Sequence, residues 1–204
     1  MPKRNKEFRL EVPGGETTVL LHTCCAPCSS AIIECMMKNG ITPVIYYCNP
    51  NIYPREEYEI RKNECTRYAE ALGLEIVDAD YDHGNWLREV AGMENEPERG
   101  GRCLKCFKLR LLRTAQFAAE RGIKVISTTL ASSRWKSLDQ INEAGRWACA
   151  EIPPDDRVIW WDQNWRKGGL QERRLQILKE YDFYNQLYCG CEFSIRKDDQ
   201  NTGE

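Results

Sequence analysis

Four short apolar runs alternate with segments of helical periodicity, and this alternation constrains the fold more than any other feature of the chain. Thr17–His22 (TTVLLH), Pro43–Cys48 (PVIYYC), Leu74–Asp78 and Lys124–Thr129 (KVISTT) read as strands. Between them, Ser29–Asn39, Arg55–Leu72 and Cys103–Arg121 carry apolar residues at three- and four-residue spacing. Tyr81–Val90 reads as a shorter helix, and Leu138–Cys149 and Gly169–Lys179 as later ones. Strands joined by helices make parallel pairs, and a parallel sheet needs both faces covered. The expectation is an α/β fold with a mostly parallel, Rossmann-like sheet and helices on both faces. The segment around Trp160–Trp165 contributes a fifth strand, and the C-terminal segment folds across the open end of the sheet. Residues 1–16 form an N-terminal extension, 17–195 a single catalytic domain, and 196–204 a disordered tail.

The cysteines point to the chemistry. There are eleven in 204 residues. The charged N-terminus lacks the apolar core of about 7–15 residues that a secretory signal needs. No run approaches the roughly 18 apolar residues of a membrane span. A cytoplasmic protein is therefore expected, with no membrane partner. In that compartment thiols stay reduced, so metal binding or redox chemistry outranks a disulfide framework. The net charge of −2 gives no bulk attraction to nucleic acid.

Three groups stand out. Cys24-Cys25-Ala26-Pro27-Cys28 sits where the first strand turns into a helix, a place where backbone N–H groups and the positive helix end favour thiolates and anionic clusters. Adjacent cysteines serve two irons of a cluster better than one tetrahedral zinc. Cys103-Leu-Lys-Cys106 opens another helix and suits zinc, an iron–sulfur cluster or a dithiol. Together, Cys24, Cys25, Cys103 and Cys106 offer four soft ligands, the number a [4Fe-4S] cluster takes. A Cys₄ zinc site is the rival reading. Cys189-Gly190-Cys191 is spaced for a strained, redox-active disulfide, or for two thiolates on a second metal beside the cluster. Cys35 and Cys65 read as core, as does Cys48 at a strand end. Glycine-rich dinucleotide and radical-SAM motifs are missing from the sequence, so the electrons are expected from an external donor.

The sequence resembles the QueH-type epoxyqueuosine reductases. The resemblance rests on His22-Thr-Cys-Cys-Ala-Pro-Cys-Ser, Asn49-Pro-Asn-Ile-Tyr-Pro, Gly101-Arg-Cys-Leu-Lys-Cys-Phe-Lys-Leu-Arg-Leu, Ser127-Thr-Thr-Leu and Tyr188-Cys-Gly-Cys-Glu-Phe-Ser. It implies two-electron reduction of the epoxide of epoxyqueuosine, at the wobble position of tRNA, to queuosine. It also implies cluster ligands at Cys24, Cys25, Cys103 and Cys106. Cys189 and Cys191 would be the catalytic pair, either as a disulfide or as ligands to an adjacent iron. The role of Cys28 is open, and Ala131-Ser-Ser-Arg-Trp-Lys departs from the usual loop after the fourth strand. His22, Asp78, Asp80 and Tyr188 are candidate proton donors.

For the tRNA partner, two basic groups offer phosphate contacts. They are Arg99, Arg102, Lys105, Lys108, Arg110 and Arg113, and then Arg166, Lys167, Arg173 and Arg174. Trp135, Trp147, Trp160, Trp161 and Trp165 offer stacking faces. A zinc-stabilised tRNA-binding module and a general thiol–disulfide electron-transfer protein are the alternative readings.

Overall fold

The computed structural model describes residues 8–186 and 188–195. The expected disordered tail, 196–204, and the first seven residues of the N-terminal extension lie outside them. Five strands, β1 (Thr18–His22), β2 (Thr42–Tyr47), β3 (Ile76–Asp78), β4 (Val125–Thr128) and β5 (Ile159–Trp160), form one sheet in the order β3-β2-β1-β4-β5. Every pairing is parallel. Among the described residues the α-helices are α1 (Ala26–Lys38), α2 (Arg55–Ala71), α3 (His83–Glu89), α4 (Gly101–Glu120), α5 (Leu138–Ala150) and α6 (Leu170–Glu180). Helix α1 packs with α2 and α6, and α4 packs with α5. No described helix is long and apolar enough to cross a membrane.

The central strands read as uninterrupted apolar runs because both of their faces are covered. Val19, Leu20, Leu21, Val125 and Ile126 have no solvent exposure. The fifth strand is only two residues long and pairs with β4 through Val125 and Ile126.

The strand order reverses between β1 and β4, which makes their carboxyl ends the switch point where α/β sheets open a crevice. His22 and Thr128 are register partners there. Both cysteine-bearing helix starts lead away from this edge, and the third cysteine group reaches it through the C-terminal segment.

Two local differences from the sequence reading have clear causes. Helix α1 begins at Ala26, three residues earlier than the periodicity suggests, because Pro27 falls in the first turn, where its missing N–H costs nothing. The polar stretch Gly92–Arg102, whose glycines and proline read in sequence as a mobile loop, is tied down instead. Arg102, 2% exposed, donates through Nη1 to the carbonyls of Met93, Glu94 and Glu96 at 3.0, 2.7 and 2.7 Å.

Gly145 on α5 is where the helix meets β5. A Cβ there would lie 2.2 Å from Trp160 Cδ2. Gly145→Ala should therefore lower stability by about 1–3 kcal/mol, the usual cost of overpacking. Adding Trp160→Leu should recover much of the loss. Urea midpoints of the three proteins test this, and an undiminished midpoint for the single variant would show that α5 shifts freely.

Candidate active site

Cys25 caps α1 with extended backbone (φ −170°), and its carbonyl accepts the Ser29 N–H and hydroxyl at 3.2 and 3.0 Å. Cys28 is then the third helical residue, and the side chains of a cap and its third follower face each other. The Sγ atoms of Cys24, Cys25 and Cys28 accordingly lie within 4.8 Å of one another. The cap geometry brings the Cys28 sulfur to the other two, in the group the sequence reading gave while leaving the role of Cys28 open.

Cys24 and Cys28 stand at one wall of a cavity of about 590 Å³, also lined by Cys103, Cys106, Cys189 and Cys191, while Cys25 is buried beside them. The three cysteine groups expected from the sequence thus face one space. Helix α4 brings Cys103 and Cys106 with its first turns. Its start is crowded: a Cβ on Gly100 would meet Glu96 Oε2 at 2.7 Å, while Glu96 accepts the Arg102 N–H at 2.9 Å. The amino ends of two helices, α1 and α4, therefore border the cavity and favour negative charge within it.

The C-terminal segment is fastened by polar contacts. Tyr53 donates its N–H to Gly190 O at 2.8 Å, and Ile52 bridges Cys191. Arg61, 3% exposed, is paired with Glu57 at 2.7 Å and donates to the carbonyls of Tyr188 and Cys189 at 3.1 and 3.3 Å. His83 joins Pro50 O (2.7 Å) to Glu192 (3.0 Å). Gly190 has φ +104°, and a Cβ there would press on Ile52 Cγ1 at 2.9 Å, so glycine is required between the two cysteines.

Nearly every sulfur has a donor beside it. Gln186 Nε2 donates to Cys25 Sγ at 2.9 Å, the Arg99 N–H to Cys103 Sγ at 3.3 Å, and Lys136 Nζ to Cys189 Sγ at 3.1 Å. Arg110 Nη1 lies 4.0 Å from Cys106 Sγ. Arg61, Arg99, Arg102, Arg110, Arg134, Lys136 and Arg174 line the cavity against one carboxylate, Glu98. Contacts with Cys25 and Cys28 hold the Cys24 thiol well below its ordinary value. At Cys189 the enclosing protein pushes the thiol up, but Lys136 and Arg110 outweigh it and the net shift is down. Burial pushes Cys103 up and Cys191 up to about 12. Soft sulfur donors within a cationic, N–H-rich wall fit an anionic iron–sulfur centre.

The proton-donor candidates separate. His22 is fully buried, with Nδ1 2.7 Å from Thr128 Oγ1 and Nε2 3.0 Å from Cys48 O. Burial first, then Arg110, lowers its pKa to about 3, so it is neutral and structural. Asp78 accepts from Tyr58 and Lys62 at 2.5 and 3.1 Å, away from the cavity lining. Asp80 is also outside that lining, whereas Tyr188 belongs to it and donates its hydroxyl to Tyr53 O. Cys35, Cys48 and Cys65 are buried as core, and Cys149 is half-buried on α5.

The expected basic groups are largely spent inside the molecule. Arg110 binds Cys48 O (3.1 Å) and Asn49. Arg113 binds Ala79 O at 2.5 Å, and Lys105, Lys108 and Arg173 pair with Glu89, Glu143 and Glu34. Trp161 and Trp165 are core, while Trp135 is open to solvent. Sequence reasoning missed Arg61, Lys136 and Gln186 as neighbours of the cysteines, because isolated long polar side chains carry no periodic or motif signal.

Two measurements check this geometry. The unfolded chain protonates His22 near 6.5 and the folded protein only near 3, so stability must fall as pH drops through that window. The cost from this residue is about 1.4 kcal/mol per pH unit. His22→Gln should flatten the change in urea midpoint between pH 7 and pH 5; an unaltered slope would assign it elsewhere. Arg61→Met should cost about 3–5 kcal/mol by stranding buried Glu57. It should also speed amide exchange at 188–191, and unchanged exchange there would mean that Arg61 does not hold the segment.

Residues 19–197 match the family model described as epoxyqueuosine reductase QueH. The epoxyqueuosine reductase QueH of Histophilus somni is 48% identical over 92% of this chain and 76% of its own. That of Acinetobacter baylyi is 46% identical over 93% and 85%, and that of Thermotoga maritima 34% over 87% and 90%. The chain belongs to the epoxyqueuosine reductase QueH family of oxidoreductases.

Proposed function

We propose that this chain reduces the epoxide of epoxyqueuosine, at the wobble position of tRNA, to the cyclopentene of queuosine, with electrons from an external donor. Family membership supports the reaction. The observation that carries the mechanism is the convergence of three cysteine groups on one cationic cavity. In this reading Cys24, Cys25, Cys103 and Cys106 hold a [4Fe-4S] cluster, and Cys189 and Cys191 complete the site beside it.

Removing the epoxide oxygen takes two electrons and two protons and releases water. A bound cluster supplies electrons one at a time, so a second centre is needed next to it. Cys189 and Cys191 fill that place, as a dithiol that closes to a disulfide or as ligands to an adjacent iron. Lys136 beside Cys189 balances thiolate charge at the cavity wall. Arg61 and Gly190 fix the position of the pair, and Asn49 and Asn51 present amides to the same cavity. Asn51 Oδ1 is buried without a partner and is available to a substrate donor.

Anaerobically purified protein should be brown and contain iron and sulfide. Cys103→Ser and Cys106→Ser should lose both, and Cys28→Ser asks whether the third thiol of the tight group belongs to the ligand set. Cys189→Ser and Cys191→Ser should retain the cluster yet fall below about 1% of wild-type reduction of epoxyqueuosine tRNA, as when one member of a catalytic unit is removed. Colourless protein holding only zinc, or full activity in both of the last variants, would overturn the reading.

A further inference from the structure

Trp135 is 75% exposed, the most open large apolar side chain among the described residues. It lies at the edge of the cysteine cavity in the loop Ser133–Lys136, all four residues of which line that cavity. The loop is held with unusual completeness. Arg166 Nη2 donates to the carbonyls of Ser133 and Lys136 at 2.5 and 2.7 Å. Arg99 donates through Nη2 to Arg134 O at 2.8 Å and through Nε to Trp135 O at 2.9 Å. Four consecutive carbonyls are thus bound by two guanidinium groups. Arg99 is itself anchored, with φ +68°, its N–H on Cys103 Sγ and its carbonyl accepting from Gln140 at 2.8 Å.

A solvated indole gives up the burial that an aromatic side chain otherwise gains. Two guanidinium groups, Arg99 and the partly buried Arg166, are spent on fixing its backbone. Flexibility cannot account for the exposure, because the loop is clamped. The surroundings are positive: burial, then Arg99 and Arg134, lower the pKa of Arg166, so the three guanidinium groups sense one another. Arg134 is exposed beside Trp135 and makes no salt bridge among the described residues. A flat π face flanked by cations, at the mouth of a cavity sized for a small ligand, matches a nucleotide better than an apolar protein surface.

We propose that Trp135 is a preformed stacking platform for an unpaired RNA base next to the nucleotide that enters the cavity, with Arg134 directed at the adjoining phosphate. This rests on the tRNA reading above. The platform lies at the cavity rim, so it positions RNA and takes no part in the redox step.

The test uses a synthetic anticodon stem–loop RNA and the intact protein. Trp135 supplies the red-edge part of the tryptophan emission. That part should be quenched as the RNA is added to wild type and absent from Trp135→Phe. Trp135→Ala should bind the RNA roughly 10- to 100-fold more weakly, the range for losing one base stack. Trp135→Phe should stay within about threefold of wild type, since it keeps a π face. In turnover of epoxyqueuosine tRNA, Trp135→Ala should raise KM more than it lowers kcat. Equal affinity of Trp135→Ala and wild type, or red-edge emission indifferent to RNA, would overturn the platform while leaving the reductase reading intact. Quenching and weakened binding without any epoxide reduction by wild type would support the platform and remove the reductase reading. Because Trp135 is exposed, unchanged urea midpoints separate these effects from misfolding.

Discussion

A buried cation without a carboxylate dictates how this site is built. Arg110 is 2% exposed, and among the described residues it pairs with no acid. Its guanidinium donates to Cys48 O and Asn49 and faces Cys106. An uncompensated buried charge costs several kcal/mol, so its counter-charge must lie in the cavity. Burial alone would lower the Arg110 pKa, yet Cys106, Cys24 and Cys189 reverse the effect and raise it. Thiols and cation therefore stabilise each other's charged forms. The same logic explains the neutral His22 behind Arg110: a second cation there would have no anion of its own.

The sheet topology supplies the place for this exchange. Cys24 follows β1 and Thr129 follows β4, the two strands that flank the switch point, and the Cys24 N–H donates to Thr129 Oγ1 at 3.3 Å. Parallel strands all end on the same edge, so helix starts, with their unpaired N–H groups, gather there. Negative charge in the cavity is thus favoured by the backbone before any side chain is counted. The arginines and Lys136 add to a field that the fold already has.

Much of this could be read from the sequence, and the misses have physical causes. The strands were legible because β1, β2 and β4 are buried on both faces and so appear as continuous apolar runs. The Cys-x-x-Cys and Cys-Gly-Cys groups were legible because their spacing is itself the signal. Cys28 was read into the first group but its role was left open, because that depends on which residue caps α1, and helix boundaries are poorly fixed by periodicity. The basic residues misled for a related reason. Arg102, Arg110 and Arg113 look like a phosphate stripe in sequence, yet each turns inward to satisfy loop and strand-end carbonyls. Charge in a sequence says nothing about whether its partner is solvent, RNA or backbone.

That inward use of arginine also accounts for how the third cysteine group is placed. Cys189 and Cys191 arrive on a segment with no helix or sheet of its own beyond one bridge to Ile52 and a short 3₁₀ turn at Glu192–Ser194. Apolar packing there is confined to a small cluster in which Cys191 and Phe193 lie against Trp86, Val90 and Cys106, with the Arg102 guanidinium over the Phe193 ring. Apolar contacts are tolerant of small slides, whereas hydrogen bonds fix distance and direction together. A two-sulfur unit held at a cavity wall outside any helix or strand needs the latter. Arg61, Tyr53, His83 and Lys136 provide it from four different parts of the chain. The segment is thereby located by the same elements that build the cavity, so the positions of Cys189 and Cys191 follow the cavity wall.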